Sequence, residues 1–235
     1  MKKIDTAIVL AGGSGSRLWP LTNDRPKPMV KLLGKPILEW VIDWLKKEEF
    51  KKIIIGVAYQ KEIIIDYFKD GRVFDIDIQY SIHSIDGETG EGFRLAIKRY
   101  IDDENFLAMN GDEITNQNIN LMAECHLKYN PIATILVSPL KCPFGTLELD
   151  NDNYIIKFNE KPVIPSILVS SGVYIFNHKI IDYLPLKGKI EKTTFPKLAK
   201  ERKLQSYKLN GYWFTINSLK DINIVSEELK KMEIK

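Results

Sequence analysis

Short apolar runs rich in β-branched residues alternate with longer stretches of helical periodicity over the first 140 residues. The runs predict strands, which extend from Thr6 to Leu10, Lys52 to Ala58, Ile76 to Ile82, Phe106 to Met109 and Ile132 to Ser138. The intervening stretches predict helices, which begin at Pro36 and near Ile63, Glu91 and Asn118. Strands that alternate with helices in this way indicate an α/β fold with a mainly parallel sheet between helices.

The pattern changes after residue 140. Short strands are predicted in "GTLELD", "YIIKFNE" and "ILVSSGVYIFN", and two helices near residues 192–202 and 218–232. We expect a smaller α+β region that closes over the carboxyl edge of the first sheet. No linker separates the two parts, so residues 1–235 are interpreted as a single domain with parts of about 1–140 and 141–235.

Composition narrows the class of protein. The chain is 44% hydrophobic and 28% charged, which is ordinary for a globular domain, and its net charge of +3 does not indicate a nucleic-acid partner. No segment approaches the roughly 20 apolar residues that span a bilayer, and the first apolar run is too short for a secretory signal. Cys125 and Cys142 suggest neither a metal pair nor a disulfide framework. We therefore expect a cytoplasmic protein without a membrane partner.

The loop after the first predicted strand, "LAGGSGSR", combines glycines with nearby cations. Gly12, Gly13 and Gly15 would let backbone N–H groups approach an anion closely. Arg17 offers a planar fork for phosphate oxygens, and Lys27 is held between two prolines. The loop fits neither G-x-x-x-x-G-K-[ST] nor G-x-G-x-x-G. A plain tight turn and a triphosphate-binding loop both remain open, and the cations favour the second.

Asp112, in "NGDE", directly follows another predicted strand. A carboxylate at that place can hold a divalent cation against phosphates, although an ordinary turn would look the same. Since ligands bind beyond the carboxyl ends of parallel strands, we expect this turn and the glycine loop to meet in one cleft. The neighbouring Glu113 is expected to face solvent.

Two later segments have alternative interpretations. "GETGEGFR", which contains Gly87 and Gly90, could approach a base or ribose or could simply lead into a helix. "NEKP" places Glu160 and Lys161 after a strand, where they could bind sugar hydroxyls or form a surface hairpin. The three histidines form no metal or triad pattern and are expected at the surface or at helix ends.

Five segments in order, "LAGGSGSRLWPLTNDRPKPMVKLLGKPIL", "NGDE", "FNEKP", "SSGVYIF" and "GYWFTINSLKD", resemble the sugar-1-phosphate nucleotidylyltransferases. The resemblance implies a Rossmann-like nucleotide-binding core, about 1–140, and a sugar-binding region, about 141–235. It also implies an Mg²⁺-dependent reaction in which a nucleoside triphosphate and a sugar 1-phosphate give a nucleotide sugar and pyrophosphate. Longer relatives continue into a β-helix, so the likeness is to the short form without that domain.

The resemblance also implies roles for particular residues. The catalytic residues would be Arg17, Lys27 and Asp112. Arg17 would bind the β- and γ-phosphates, Lys27 would contact phosphate near the reacting centre, and Asp112 would be a metal ligand. The nucleotide-binding set would be Leu10, Ala11, Gly12, Gly13, Gly15, Gly87 and Gly90. The sugar-phosphate set would be Gly145, Glu160, Lys161, Ser170 and Gly172.

Several positions depart from the family pattern. Where relatives carry a second metal-binding aspartate, this chain has Thr215 or Asn217, and only the amide oxygen of Asn217 could still bind metal. Ser170 replaces the usual asparagine of the sugar pocket, and "ETGEGF" replaces the commoner Gly-Thr-Ala-Gly pattern. We favour a mannose- or heptose-1-phosphate guanylyltransferase. A cytidylyl-, uridylyl- or thymidylyltransferase and a catalytically weak regulatory subunit remain as alternatives. The family is often dimeric or larger, which leaves a homo-oligomer open.

Overall fold

A seven-stranded sheet organises residues 4–233, the part of the chain that the structure, a computed structural model, describes. The thirteen strands of the described residues are β1 (Thr6–Leu10), β2 (Lys31–Leu32), β3 (Lys35–Pro36), β4 (Lys52–Val57), β5 (Asp77–Ile82), β6 (Asn105–Asn110), β7 (Glu113–Thr115), β8 (Ala133–Lys141), β9 (Thr146–Leu149), β10 (Ile155–Asn159), β11 (Val163–Asn177), β12 (Leu204–Lys208) and β13 (Trp213–Thr215). In the main sheet the order is β12-β8-β11-β6-β1-β4-β5. Only β11 runs antiparallel to its neighbours, so the predicted mainly parallel α/β fold is confirmed.

Six α-helices are found in the described residues. They are α1 (Ile37–Lys47), α2 (Lys61–Phe68), α3 (Glu88–Tyr100), α4 (Ile119–Tyr129), α5 (Thr194–Lys200) and α6 (Leu219–Glu233). Helix α3 begins three residues earlier than the sequence pattern predicted, so part of the expected glycine loop is its first turn. In the described residues no helix has both the length and the apolar character that crossing a bilayer requires.

The central strands are apolar on both faces because helices cover both. On one face, Val9 and Ile55 belong to a core cluster with residues of α1, α2 and α4. On the other, Ile8 and Ile54 pack with residues of α3 and α5. Successive side chains of a strand point to opposite faces, so an unbroken apolar run is what a sheet between two helical layers requires.

The second part of the chain joins the first through the sheet itself. Strands β11 and β12 extend it on the β6 side, whereas β9 and β10 form a separate two-stranded ribbon. A third apolar cluster connects Leu18, Ile114 and α6 (through Val225 and Leu229), which fixes α6 against the N-terminal loop. The division near residue 140 stays a prediction.

Candidate active site

A cleft of about 620 Å³ opens at the carboxyl ends of the central strands. Strand order reverses at β1, which lies between β4 and β6, and such a switch point is where ligands bind in open α/β sheets. The cleft is lined by Leu10, Ala11, Gly12, Gly13, Ser14, Gly15, Ser16, Arg17, Leu18, Lys27, Pro28, His83, Ile85, Glu88, Thr89, Asn110, Asp112, Lys189 and Asn217. The glycine loop and the Asp112 turn meet here, and Gly111 N–H donates to the Leu10 carbonyl at 2.8 Å.

Close packing accounts for two glycines of the loop. Gly15 has φ +68°, and a Cβ there would lie 2.5 Å from Lys27 Cβ. A Cβ on Gly12 would lie 2.6 Å from the His83 ring, whereas one on Gly13 would meet nothing within 4 Å. The Thr22 hydroxyl donates to the Gly15 carbonyl at 3.0 Å and ties the loop to the segment that leads to Lys27. The loop backbone therefore lies beside the cleft, with no room for a side chain at Gly12 or Gly15.

Lys27 lies at the centre of a polar group on the cleft wall. It starts a 3₁₀ turn, residues 27–29, after the extended Pro26. Its ammonium forms an ion pair with the Asp112 carboxylate and donates to Asn217 Oδ1 at 3.0 Å. Only 13% of the Lys27 side chain is exposed, so solvent screens the pair weakly. Lys27 thus contacts two other residues that the sequence predicted at the site.

Asn217 is held from both sides. Its amide nitrogen donates to the Thr215 hydroxyl at 3.0 Å. The backbone N–H groups of Asn217 and Ser218 donate to Asp221 Oδ2 at 2.9 and 2.8 Å, so the Asp221 carboxylate is engaged at the start of α6. The Asn217 side chain is therefore fixed with its oxygen toward Lys27.

The donor set of Asp112 and Asn217 is compatible with Mg²⁺. Both oxygens already converge on one positive charge, and Mg²⁺ accepts one or two protein oxygens when phosphate oxygens and water complete its shell. The residues described contain no cluster of three or more His, Cys, Asp or Glu side chains that could hold a metal without such help.

Glu113 does not face solvent, and that expectation was wrong. Strand β7 begins at Glu113 and pairs with β13, which covers its side chain. The Trp213 indole N–H donates to Glu113 Oε2 at 2.8 Å. Burial and the neighbouring Asp112 charge raise the pKa of Glu113 well above its usual value. A strand of three residues gives too little periodicity to show this in the sequence.

The opposite wall contains residues that the sequence analysis missed. Ile85, Glu88, Thr89 and Lys189 line it, and His83 lies at its base. The His83 Nδ1 is 2.9 Å from the Ser84 carbonyl and would donate to it, which leaves Nε2 as an acceptor. That Nε2 is buried and has no hydrogen-bond partner among the described residues. His83 directly follows the carboxyl end of β5, a position that could have identified it.

Gly87 and Gly90 lie behind this wall and do not line the cleft. Gly90 N–H donates to the Gly188 carbonyl at 2.8 Å, and Gly188 N–H donates to the Gly87 carbonyl at 3.1 Å. A Cβ on Gly90 would lie 2.6 Å from the Gly188 oxygen. Gly90 therefore permits the turn that carries Lys189 to pack on α3.

The predicted sugar-binding residues fall into two groups. Gly172, with φ +72°, lies so close to Asn110 that a Cβ would be 2.8 Å from its amide nitrogen, and its N–H donates to Ser170 Oγ at 3.3 Å. Glu160 and Lys161 form an exposed ion pair of 3.3 Å at the base of the β9–β10 ribbon, beside Gly145. The first group borders the cleft, and the second does not line it.

Comparisons with known proteins give a consistent family. A family model described as nucleotidyl transferase matches residues 6–231. The chain is 41% identical over 226 residues to the bifunctional protein GlmU of Methanocaldococcus jannaschii, a match that covers 92% of the chain and 52% of the relative. It is 30% identical over 254 residues to a UTP–glucose-1-phosphate uridylyltransferase of Synechocystis, a match that covers 97% of the chain and 65% of the relative. It is 33% identical over 221 residues to a mannose-1-phosphate guanyltransferase of Yarrowia lipolytica, a match that covers 91% of the chain and 61% of the relative. The chain thus spans about half to two thirds of these relatives.

A solved structure has the same fold. HddC from Yersinia pseudotuberculosis, complexed with GMP-PN, superposes with a TM-score of 0.76 at 27% identity, over 96% of this chain and 100% of that one.

Proposed function

The chain belongs to the nucleotidyl transferase family, and on that premise we propose that it transfers a nucleotidyl group from a nucleoside triphosphate to a sugar 1-phosphate. A bond forms between a phosphate oxygen of the sugar 1-phosphate and the α-phosphorus, and the bond from the α-phosphorus to the bridging oxygen breaks, which releases pyrophosphate. The observation that carries the proposal is the contact of Lys27 with Asp112 and Asn217 beside the glycine loop, in one cleft.

This chemistry requires positioning more than proton transfer. A sugar phosphate is ionised at neutral pH and needs no general base, but two anions must be brought into line. Arg17, exposed on the cleft wall, would bind the β- and γ-phosphates of the leaving group. Lys27 would stabilise negative charge at the α-phosphate, because its ammonium is already fixed by two oxygens.

We further propose Mg²⁺ as the cofactor, held by Asp112, Asn217 and the substrate phosphates. When bound, it would neutralise phosphate charge. The remaining predicted roles stay proposals. Leu10, Ala11 and the glycine loop would hold the base and ribose, and Gly145, Glu160, Lys161, Ser170 and Gly172 would hold the sugar phosphate.

For the substrates, we propose guanosine triphosphate with mannose or heptose 1-phosphate. The similarity to a mannose-1-phosphate guanyltransferase and to a structure complexed with GMP-PN supports this choice. The similarity to a uridylyltransferase supports the uridylyl alternative.

Pyrophosphate release tests the proposal directly. Each of ATP, GTP, CTP, UTP and dTTP is combined with glucose, mannose, N-acetylglucosamine or heptose 1-phosphate and Mg²⁺, with Asp112→Ala as the control. We expect one productive pair that the control silences. Release that is independent of the sugar phosphate, or equal in Asp112→Ala, would contradict the assignment.

One observation favours a second candidate, a regulatory nucleotide-sugar-binding protein. Asn217 and Thr215 stand where the family pattern has a second acidic ligand, and neither can supply an ionised carboxylate. Nucleotide binding by calorimetry, together with no release for any pair, would favour this candidate over the enzyme.

A further inference from the structure

Glu113 is a buried carboxyl group beside the candidate metal ligands, and the mechanism proposed above does not use it. Its side chain is 7% exposed, and the residue before it is Asp112. Burying a carboxyl group is costly unless its oxygens are hydrogen-bonded, so the partners of Glu113 indicate why it is there.

The pairing of β7 with β13 gathers three side chains on one face. Glu113 is directly opposite Thr215, and opposite residues of an antiparallel pair share a face. Trp213 is two residues before Thr215 in β13 and lies on the same face. The Trp213 indole N–H donates to Glu113 Oε2 at 2.8 Å, and the Thr215 hydroxyl is a second hydrogen-bond partner of the Glu113 side chain. A Cβ on Gly172 would lie 3.0 Å from Glu113 Oε1, so backbone packs against the carboxyl group as well.

Hydrogen bonds continue from this face into the cleft. The Asn217 amide nitrogen donates to the Thr215 oxygen at 3.0 Å, which leaves the single O–H of Thr215 for Glu113. A carboxyl group offers an acceptor oxygen whether or not it is protonated, so this arrangement does not depend on the charge of Glu113. At its other end the amide accepts from the Lys27 ammonium at 3.0 Å. We call Lys27, Asn217, Thr215 and Glu113, in the order in which each donates to the next, the hydrogen-bond relay.

The direction of the relay determines what Asn217 presents to the cleft. An amide has an oxygen at one end and an NH₂ donor at the other, and only the oxygen can bind a cation. A carboxylate has oxygen at both ends and needs no such orientation. An asparagine at position 217 therefore needs a fixed acceptor for its nitrogen, and Thr215 is that acceptor while its own O–H is directed to Glu113.

We propose that Glu113 is a positioning residue, which fixes the Thr215 hydroxyl and thereby turns the Asn217 oxygen toward the metal site. The proposal rests on the proposed function only for the ligand, because the relay itself contains no metal or nucleotide. A merely structural Glu113 would support folding but would not determine which end of the amide faces Lys27.

Glu113→Gln should reverse the relay. The glutamine oxygen would accept from the Trp213 N–H, so the glutamine nitrogen would donate to the Thr215 oxygen. The Thr215 O–H would then donate to the Asn217 oxygen, and the NH₂ group would take its place beside Lys27. Because a donor repels a cation that an acceptor would bind, we expect Mn²⁺ binding in the presence of GTP to weaken about 10-fold.

Asn217→Asp should rescue Glu113→Gln. In the double variant the Thr215 O–H donates to one oxygen of the new carboxylate, and the second oxygen stays toward Lys27, so each donor of the reversed relay has an acceptor. We therefore expect Asn217→Asp to tighten Mn²⁺ binding by about 10-fold more in the Glu113→Gln background than in the wild type. A merely structural role would make the two substitutions additive.

Electron paramagnetic resonance of Mn²⁺ with GTP measures the affinities of this cycle, and circular dichroism checks that each variant folds. Glu48→Gln is the matched control, because Glu48 accepts the Ile119 N–H at 2.8 Å and lies outside the cleft lining. It should bind Mn²⁺ as the wild type does. Thr215→Val interrupts the relay without changing the buried carboxyl group and should weaken binding by about the same factor as Glu113→Gln, so it decides the matter if Glu113→Gln does not fold.

NMR of the Asn217 side-chain amide gives a readout without metal or nucleotide. Its ¹H–¹⁵N signals should move in Glu113→Gln and stay in place in Glu48→Gln. Unmoved signals, unchanged Mn²⁺ binding in Glu113→Gln or additive effects in the cycle would each overturn the proposal. A wild type that binds neither GTP nor Mn²⁺, but whose amide signals respond as expected, would support the relay and contradict the proposed function alone.

Discussion

Restoring a carboxylate at position 217 tests how the cleft holds a cation. Asn217→Asp changes one atom type and keeps the shape of the side chain. The Thr215 hydroxyl, which accepts from the Asn217 amide at 3.0 Å, can rotate and donate to a carboxylate instead. The Asp221 carboxylate would still accept both backbone N–H groups, so we expect the loop to keep its conformation.

The magnitude follows from the position of the new charge. In Asn217→Asp a carboxylate oxygen would take the place of Asn217 Oδ1, 3.0 Å from the Lys27 ammonium and on the same side of the cleft as Asp112. A divalent cation and one carboxylate charge about 4 Å apart interact by about 8 kcal/mol at an effective dielectric constant of 20. The cleft is open and Lys27 competes for the new charge, so we take about a sixth to a third of that value. This corresponds to Mg²⁺ binding that is about 10–100-fold tighter.

The assay is the Mg²⁺ dependence of pyrophosphate release at saturating substrates, where the half-maximal Mg²⁺ concentration should fall by that factor. Mn²⁺ binding measured by electron paramagnetic resonance in the presence of nucleotide gives a readout without turnover. Asn116→Asp is the control, because Asn116 is exposed, lies outside the cleft lining and accepts from Tyr212 N–H as a carboxylate also would. Equal effects in both variants, or no change in Asn217→Asp, would refute the reasoning.

Three further predictions follow from single side chains. Lys27→Met should lower kcat about 10²–10³-fold in the pyrophosphate assay, because it removes the fixed cation at the reacting phosphate. Gly12→Ala should lower the free energy of unfolding by about 1–3 kcal/mol and weaken nucleotide binding, because its Cβ would lie 2.6 Å from the His83 ring. Gly13→Ala, whose Cβ would meet nothing within 4 Å, should leave urea unfolding unchanged. His126 is buried and its pKa is lowered to about 4, so between pH 6.5 and 4 the unfolded chain is protonated at this residue and the folded chain is not. The free energy of unfolding should therefore fall by about 3 kcal/mol from pH 6.5 to 4. Urea titrations of His126→Gln should not show that loss.

The main sheet was predictable because its strands are local signals. Strand β1 has the predicted bounds, and β4, β5, β6 and β8 each contain most of a predicted run. Their apolar residues occupy both faces, which the sequence shows directly. The strands that escaped prediction, β7, β12 and β13 among them, are short or lie at the edge of the sheet. Such strands exist because distant segments meet, and local periodicity does not record that.

The start of α3 shows how tertiary packing overrides propensity. Gly90 disfavours a helix, and the pattern placed the start after it, at residue 91. In the structure Gly90 packs beneath Gly188, and a Cβ on Gly92 would lie 3.0 Å from Leu10 Cδ2. The helix needs small residues there because the strand and the 188 turn lie against it.

The cleft was predictable on one wall and not on the other. The glycine loop, Lys27 and Asp112 follow strand ends, so the rule for parallel sheets brings them together. On the opposite wall, Lys189 is positioned by a contact between distant segments. The N–H of the next residue, Ile190, donates to the Thr89 hydroxyl at 3.0 Å, across 101 residues of sequence. No local pattern indicates such a contact, which is also why the nucleotide base could not be read from the sequence.

Because Asn217 stands where the family pattern has a carboxylate, the group around Lys27 has one negative charge fewer. The ion pair of Lys27 and Asp112 is neutral by itself, and the Asn217 oxygen adds a dipole without adding charge. A second carboxylate would leave a net negative charge that only a cation could compensate. The nearby Asp221 does not take that place, because its Oδ2 accepts two backbone N–H groups at the start of α6 and its side chain does not line the cleft. The group of Lys27, Asp112 and Asn217 is therefore neutral before any metal binds, and we expect the metal to enter together with the phosphates of the nucleotide.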